Sequence, residues 1–132
     1  MNADANPSVQ DLAVLSVEDR YLIASDIAHQ IQLLGARVAG VAPSPARANE
    51  ILDETHIDLA VLDINLDGDR IFPLAERLAE ESVMFLFLTG YDEFLLPAKW
   101  RGRPRLSKPL DGRALREAII GLVAASGRET NS

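Results

Sequence analysis

Residues 59–63 read Leu59-Ala60-Val61-Leu62-Asp63, an unbroken apolar run closed by a carboxylate. Continuous apolarity over so short a stretch is the mark of a strand buried on both faces, as in a parallel sheet. Working outward, Leu12 to Val17, Arg37 to Ala42, Val83 to Leu88 and the brief Arg105 to Ser107 are further strand candidates. Between them the apolar period changes to that of a helix. Ile23, Ile27, Ile31 and Leu34 form one stripe before Gly35 supplies a stop. Ser44 and Pro45 open a helix expected over Pro45 to Thr55, and another is expected over Ile71 to Glu80. Asp111 caps a last helix whose stripe is Leu115, Ala118, Ile119, Leu122 and Val123. Strands alternating with helices predict an α/β fold, a parallel sheet covered on both faces. Tyr91 to Pro104 breaks the pattern, because Pro97, Gly102 and Pro104 leave room for a short helix or mostly loop.

The chain has 132 residues, 48% hydrophobic and 25% charged, which predicts a single domain able to bury its own core. With no cysteine, disulfides, thiolate metal sites and cysteine nucleophiles are excluded. Residues 1–10 carry no basic-then-apolar leader, and no run approaches the roughly 20 apolar residues of a membrane span. A soluble, unexported, cytoplasmic protein without membrane contact is expected. The formal charge of -7 speaks against nucleic-acid binding, which needs clustered cations. The one basic cluster, Lys99, Arg101, Arg103 and Arg105, reads as a solvated loop. The expected organisation is a folded body over 11–126 between disordered tails, 1–10 and 127–132.

In an open α/β sheet, ligands bind beyond the carboxyl ends of the strands. Glu18 and Asp19 follow the first strand, Asp63 the third, Thr89 ends the fourth, and Lys108-Pro109 follows the fifth. Three carboxylates brought together repel and need a cation and a lysine to stay ionised. Oxygen-only ligands suit a hard ion such as Mg2+, held by one or two carboxylates plus a phosphate. Each residue also has a plainer role. Asp63 can terminate a turn, Glu18 and Asp19 can cap the following helix, Thr89 is an ordinary strand residue, and Lys108 can be a surface charge. Asp67 and Asp69 lack the downstream glutamate of a calcium loop. His29 and His56 have no paired ligand spacing, and Tyr91, Phe94 and Trp100 read as cover for the sheet edge.

Taken together, Val17-Glu18-Asp19, Leu62-Asp63-Ile64-Asn65, Leu88-Thr89-Gly90 and Ser107-Lys108-Pro109-Leu110 resemble the response-regulator receiver family over about Leu12 to Val123. The resemblance implies a flavodoxin-like doubly wound fold, five parallel strands in the order 2-1-3-4-5, here with a shortened fourth helix. It implies Asp63 as phosphoacceptor, and Glu18, Asp19, Asp63 and the Asn65 backbone carbonyl as the side serving Mg2+ or Mn2+. Thr89 and Lys108 would contact the phosphoryl group, and the Lys108-Pro109 peptide would be cis. The implied partner is a sensor histidine kinase or phosphotransfer protein, with output through a second protein or as a phosphate sink. Met84-Phe85-Leu86-Phe87-Leu88-Thr89-Gly90-Tyr91 is similar to the signature of the FATGUY subgroup of single-domain regulators, with Met84 and Leu88 in place of its Pro and Ala.

Two departures stand out. The family's aromatic switch, three residues before the lysine, is Arg105 here, which leaves Tyr91 and Arg105 as switch candidates. The loop after Asp63 lacks the family's Pro and Met. The alternatives are a pseudo-receiver that is never phosphorylated, and a small phosphatase or flavodoxin-type protein on the same sheet.

Overall fold

A computed structural model of the chain describes residues 9–64, 71–90 and 96–126. Five strands, β1 (Ala13–Val17), β2 (Arg37–Ala42), β3 (Leu59–Asp63), β4 (Met84–Thr89) and β5 (Arg105–Ser107), form one parallel sheet in the order β2-β1-β3-β4-β5. Four α-helices are described: α1 (Tyr21–Leu33), α2 (Pro45–Glu54), α3 (Ile71–Glu80) and α4 (Gly112–Ala125). Where a fourth helix of the alternation was expected between β4 and β5, the described part holds one 3-10 turn, Ala98–Trp100; 91–95 lie outside the described residues. Pro97 sits at its N-cap, and a ring that cannot donate a backbone hydrogen bond limits what precedes it.

The helices divide between the faces as a doubly wound sheet requires. On one side Leu15, Val17, Ala60, Leu62, Phe85 and Phe87 pack against Ala48 and Ile51 of α2, Leu74 and Leu78 of α3, and Trp100. On the other, Val14, Leu59, Val61, Leu86 and Leu88 meet Ile27 and Ile31 of α1 and Leu115, Ile119 and Val123 of α4. Burying side chains such as Phe85, Phe87 and Leu62 completely is worth about 1.5–3 kcal/mol each. That is why β1 and β3 are buried at all five positions, whereas the edge strand β2 is largely half-exposed.

Local signals act where the sequence places them. Ser44 Oγ accepts the Arg47 N–H at 3.2 Å and caps α2, and Asp111 Oδ1 accepts the Arg113 N–H at 3.0 Å at the head of α4. After α1, Gly35 takes φ +90° and its N–H donates to Gln32 O at 3.0 Å, a left-handed stop open to glycine. The packed body begins earlier than residue 11: Val9 is buried in the α1–α4 side of the core, because its carbonyl accepts the Leu12 N–H at 3.2 Å and folds it back. Among the described residues no helix is long and apolar enough to cross a membrane.

Candidate functional site

The register of the sheet brings the carboxyl ends together. Thr89 lies opposite Ser107 and Asp63 opposite Leu88, so the ends of β3, β4 and β5 are level. Hydrogen bonds tie the chain just past those ends: Glu18 N to Ala42 O at 2.9 Å, Ile64 N to Leu88 O at 2.9 Å, and Lys108 N to Thr89 O at 2.9 Å. The Lys108-Pro109 peptide is cis.

Lys108 Nζ lies 3.0 Å from Asp63 Oδ1 and 3.2 Å from Glu18 Oε1, with its side chain 14% exposed. Glu18, Asp63 and Thr89 are each only 2% exposed. Asp19 faces solvent, and one carboxylate oxygen from each of Glu18, Asp19 and Asp63 lies within 4.8 Å of the others. The second Glu18 oxygen, Oε2, accepts the Arg20 N–H at 3.1 Å, closing the turn that aims the acid pair. Glu18 Oε1 contacts Lys108 as an ion pair without the alignment of a hydrogen bond. Thr89 Oγ1 is buried with no hydrogen-bond partner among the described residues.

Among the described residues, the carboxylates of Glu18, Asp19 and Asp63 gather beside the Lys108 ammonium group. Burial, followed by the charge of Asp63, raises the Glu18 carboxyl above the usual carboxylate range, while the Arg20 N–H and Lys108 oppose the rise. Glu18, Asp19 and Asp63 form an all-oxygen donor set with excess negative charge and one exposed member, which fits a hard divalent cation entering from solvent. The Thr89 hydroxyl and the Lys108 ammonium flank that set on the β4–β5 side, where they suit an anionic ligand.

Solved structures were found to share this arrangement of strands and helices. SdrG from Sphingomonas melonis Fr1 is 32% identical, over 86% of this chain and 97% of its own, with a TM-score of 0.77. The chain belongs to the response-regulator receiver family. A second receiver, the PhyR response regulator REC domain of Erythrobacter litoralis, is 26% identical over 95% of this chain and 96% of its own, with a TM-score of 0.74. The response regulator PhyR of Brucella abortus is 25% identical over 92% of this receiver, which spans 52% of that chain, with a TM-score of 0.76. No protein-family model matches the sequence, and no curated protein does.

The structure of this receiver brings together Glu18, Asp19, Asp63, Thr89 and Lys108. Asn65 and Tyr91 lie outside the described residues, as do Asp67, Asp69 and Phe94. Arg105 is half-buried in β5 opposite Phe87. His56 sits just before β3, at the amino end of the central strands, its Nε2 2.8 Å from Asp58 Oδ1.

The basic cluster is more than a solvated loop. The Arg103 guanidinium lies 4.5 Å from the Phe85 ring centre and 5.9 Å from that of Trp100. Lys99 pairs with Glu76 and lies 5.1 Å from the Trp100 ring, and Arg101 Nε donates to Leu96 O at 3.1 Å. Trp100, expected at the sheet edge, is instead a core residue against β4. The Arg20 N–H was not foreseen as a functional group, since a backbone donor leaves no mark on residue type.

Proposed function

We propose that this receiver is a phosphorylatable switch that takes a phosphoryl group on Asp63 from the phosphohistidine of a sensor histidine kinase or phosphotransfer protein. The observation that carries the reading is Lys108 Nζ at 3.0 Å from Asp63 Oδ1 beside a buried, unpartnered Thr89 hydroxyl. A cation and a hydrogen-bond donor then stand where phosphoryl oxygens arrive. Glu18, Asp19 and Asp63, with the Asn65 backbone carbonyl, are the groups that would hold Mg2+ or Mn2+, which when bound offsets charge on the phosphoryl oxygens.

An Asp63 oxygen attacks phosphorus in line. The new P–O bond forms as the P–N bond to the donor histidine breaks, and its electron pair stays on the imidazole nitrogen. Lys108 follows the negative charge from the carboxylate to a phosphoryl oxygen, and the Thr89 hydroxyl donates to another. Attack by water on the same phosphorus returns the carboxylate and releases inorganic phosphate.

Phosphorylation puts a group of about 1.5–2 negative charges in place of the single charge of the Asp63 carboxylate and draws on Thr89 and Lys108, reorganising the segment from Tyr91 to Pro104, with Tyr91 and Arg105 as switch candidates. The output is binding of a second protein or drainage of phosphate from a shared kinase, in the cytoplasm and without nucleic acid or membrane. Phe85, Phe87, Thr89, Gly90 and Tyr91 support placement in the FATGUY subgroup. Intact mass after incubation with acetyl phosphate tests the reading. A Mg2+-dependent gain of about 80 Da, the mass of one phosphoryl group, that disappears in Asp63→Asn is expected. No gain from acetyl phosphate or from a phosphorylated kinase would leave the unphosphorylated pseudo-receiver instead.

A further inference from the structure

Successive residues of a strand face opposite sides, so Phe85, Phe87 and Thr89 of β4 stand in one row while Leu86 and Leu88 face the other core. Beneath Thr89 in that row is a cluster of four rings. Phe87 meets Phe85 at 5.6 Å, Phe72 of α3 at 6.2 Å and Trp100 at 6.2 Å between ring centres, all edge to face. Trp100 also meets Phe85 at 5.8 Å, spanning two successive rungs of the row.

Trp100 itself is firmly held. It is 4% exposed, its N–H donates to Pro97 O at 2.9 Å, and its carbonyl accepts the Arg103 N–H at 3.0 Å. The Arg103 guanidinium covers both Phe85 and Trp100, and Lys99 pins the turn to Glu76 of α3. Nothing comparable fixes the Thr89 side chain, whose hydroxyl has no hydrogen-bond partner among the described residues. Its location is set by the strand end, through the backbone bond to Lys108 and the packing of the row below.

We propose that Trp100 is a positioning residue for phosphoryl transfer, acting through Phe87 to hold the end of β4 where the Thr89 hydroxyl meets a phosphoryl oxygen. The proposal rests on Asp63 being the phosphoacceptor. Trp100 comes from a single 3-10 turn outside the sheet's hydrogen-bond ladder, so truncating it removes no pairing residue of β4 or β5 and takes away one of the three rings that support Phe87. A misplacement of about 1 Å at a reacting centre costs up to roughly a hundredfold in rate.

The test is a double-mutant comparison on the full chain. The rate of Asp63 phosphorylation at saturating acetyl phosphate and Mg2+ is measured for wild type, Trp100→Ala, Thr89→Ala and the double variant. Mg2+ affinity is followed by amide chemical shifts. Trp100→Ala is expected to slow transfer about tenfold, well inside the limit set by misplacement. Mg2+ affinity should be unchanged, Trp100→Phe should recover most of the rate, and Trp100→Ala should add nothing once Thr89 is Ala.

Equal slowing in both backgrounds, a parallel loss of Mg2+ affinity, or full-rate transfer by Trp100→Ala overturns the proposal. Should Trp100→Ala not fold, Trp100→Leu keeps apolar bulk without the ring edge and carries the same comparison. Absence of wild-type phosphorylation from any donor would instead sink the phosphoacceptor reading itself.

Discussion

Replacing Lys108 with methionine keeps the length of the side chain and removes its charge. Lys108 Nζ is the cation within 3.2 Å of both Glu18 and Asp63, whose residues are 2% exposed, so both lose their counter-charge. Stranding one partner of a fully buried pair costs about 3–5 kcal/mol. The side chain of Lys108 is 14% exposed and Asp19 opens the site to water, so the expected loss is smaller, about 2–3 kcal/mol without metal. At about 4 °C per kcal/mol for a domain of this size, metal-free Tm should fall by roughly 8–12 °C.

The coupling is testable in the same melts. In Asp63→Asn the lysine has one carboxylate fewer to neutralise, so Lys108→Met should cost about half as much. Saturating Mg2+ should recover part of the loss, because a divalent cation bound by the same carboxylates replaces the missing charge, about 2.7 kcal/mol at a hundred times its Kd. Melts in chelator and in Mg2+, for wild type, the two single variants and the double variant, supply every number. A fall below about 3 °C, less than a single kcal/mol at this size, would show that Lys108 does not balance these acids. So would an equal fall in the Asp63→Asn background.

Further outcomes follow from individual contacts. Because burial raises Glu18 in the folded state, its contribution to stability is full below the ordinary glutamate range and is lost as pH rises through the raised folded value. Glu18→Gln should therefore gain on wild type in metal-free urea melts as pH is raised from about 4 to 7; a constant difference would refute the assignment. Arg77 of α3 reaches Asp53 at 2.8 Å and Asn49 Oδ1 at 2.9 Å on α2, and Glu81 at 2.7 Å just past its own helix, and Arg77→Ala should cost about 1 kcal/mol in urea melts because its acidic partners are exposed. Phosphorylation of Asp63 should be unaffected by it, and a matching loss of phosphoryl uptake would place this network in the site. Gly35→Ala forces a Cβ into φ +90° and should destabilise by about 1–2 kcal/mol, read as a lowered urea midpoint at unchanged m-value.

The helix and strand pattern was legible because each element repeats a local rule. The bounds expected for Arg37–Ala42, Ile71–Glu80 and Arg105–Ser107 match the structure, and those of the other strands and of α2 shift by no more than one residue at either end. The site was legible as a set of strand-end residues, since topology alone takes Glu18, Asp19, Asp63, Thr89 and Lys108 to one edge. Val9 and Trp100 were misplaced for the same reason. Each is a single apolar residue in a polar or Pro-broken stretch, with no periodic neighbours to announce a buried face.

By itself the sequence determined the alternation of strands and helices, the exclusion of thiol chemistry, and the acid, hydroxyl and lysine set, all of which depend on residue type and spacing along the chain. Tertiary structure alone decided that Lys108 touches both Glu18 and Asp63, that the Arg20 N–H aims the acid pair, and that the Thr89 hydroxyl is buried without a partner. It also decided that Trp100 and Arg103 close over β4. Apart from the Arg20 N–H, which is two residues from Glu18, these features depend on segments far apart in sequence and are fixed by how the elements pack, and no local pattern of residues encodes a distance across a packed core.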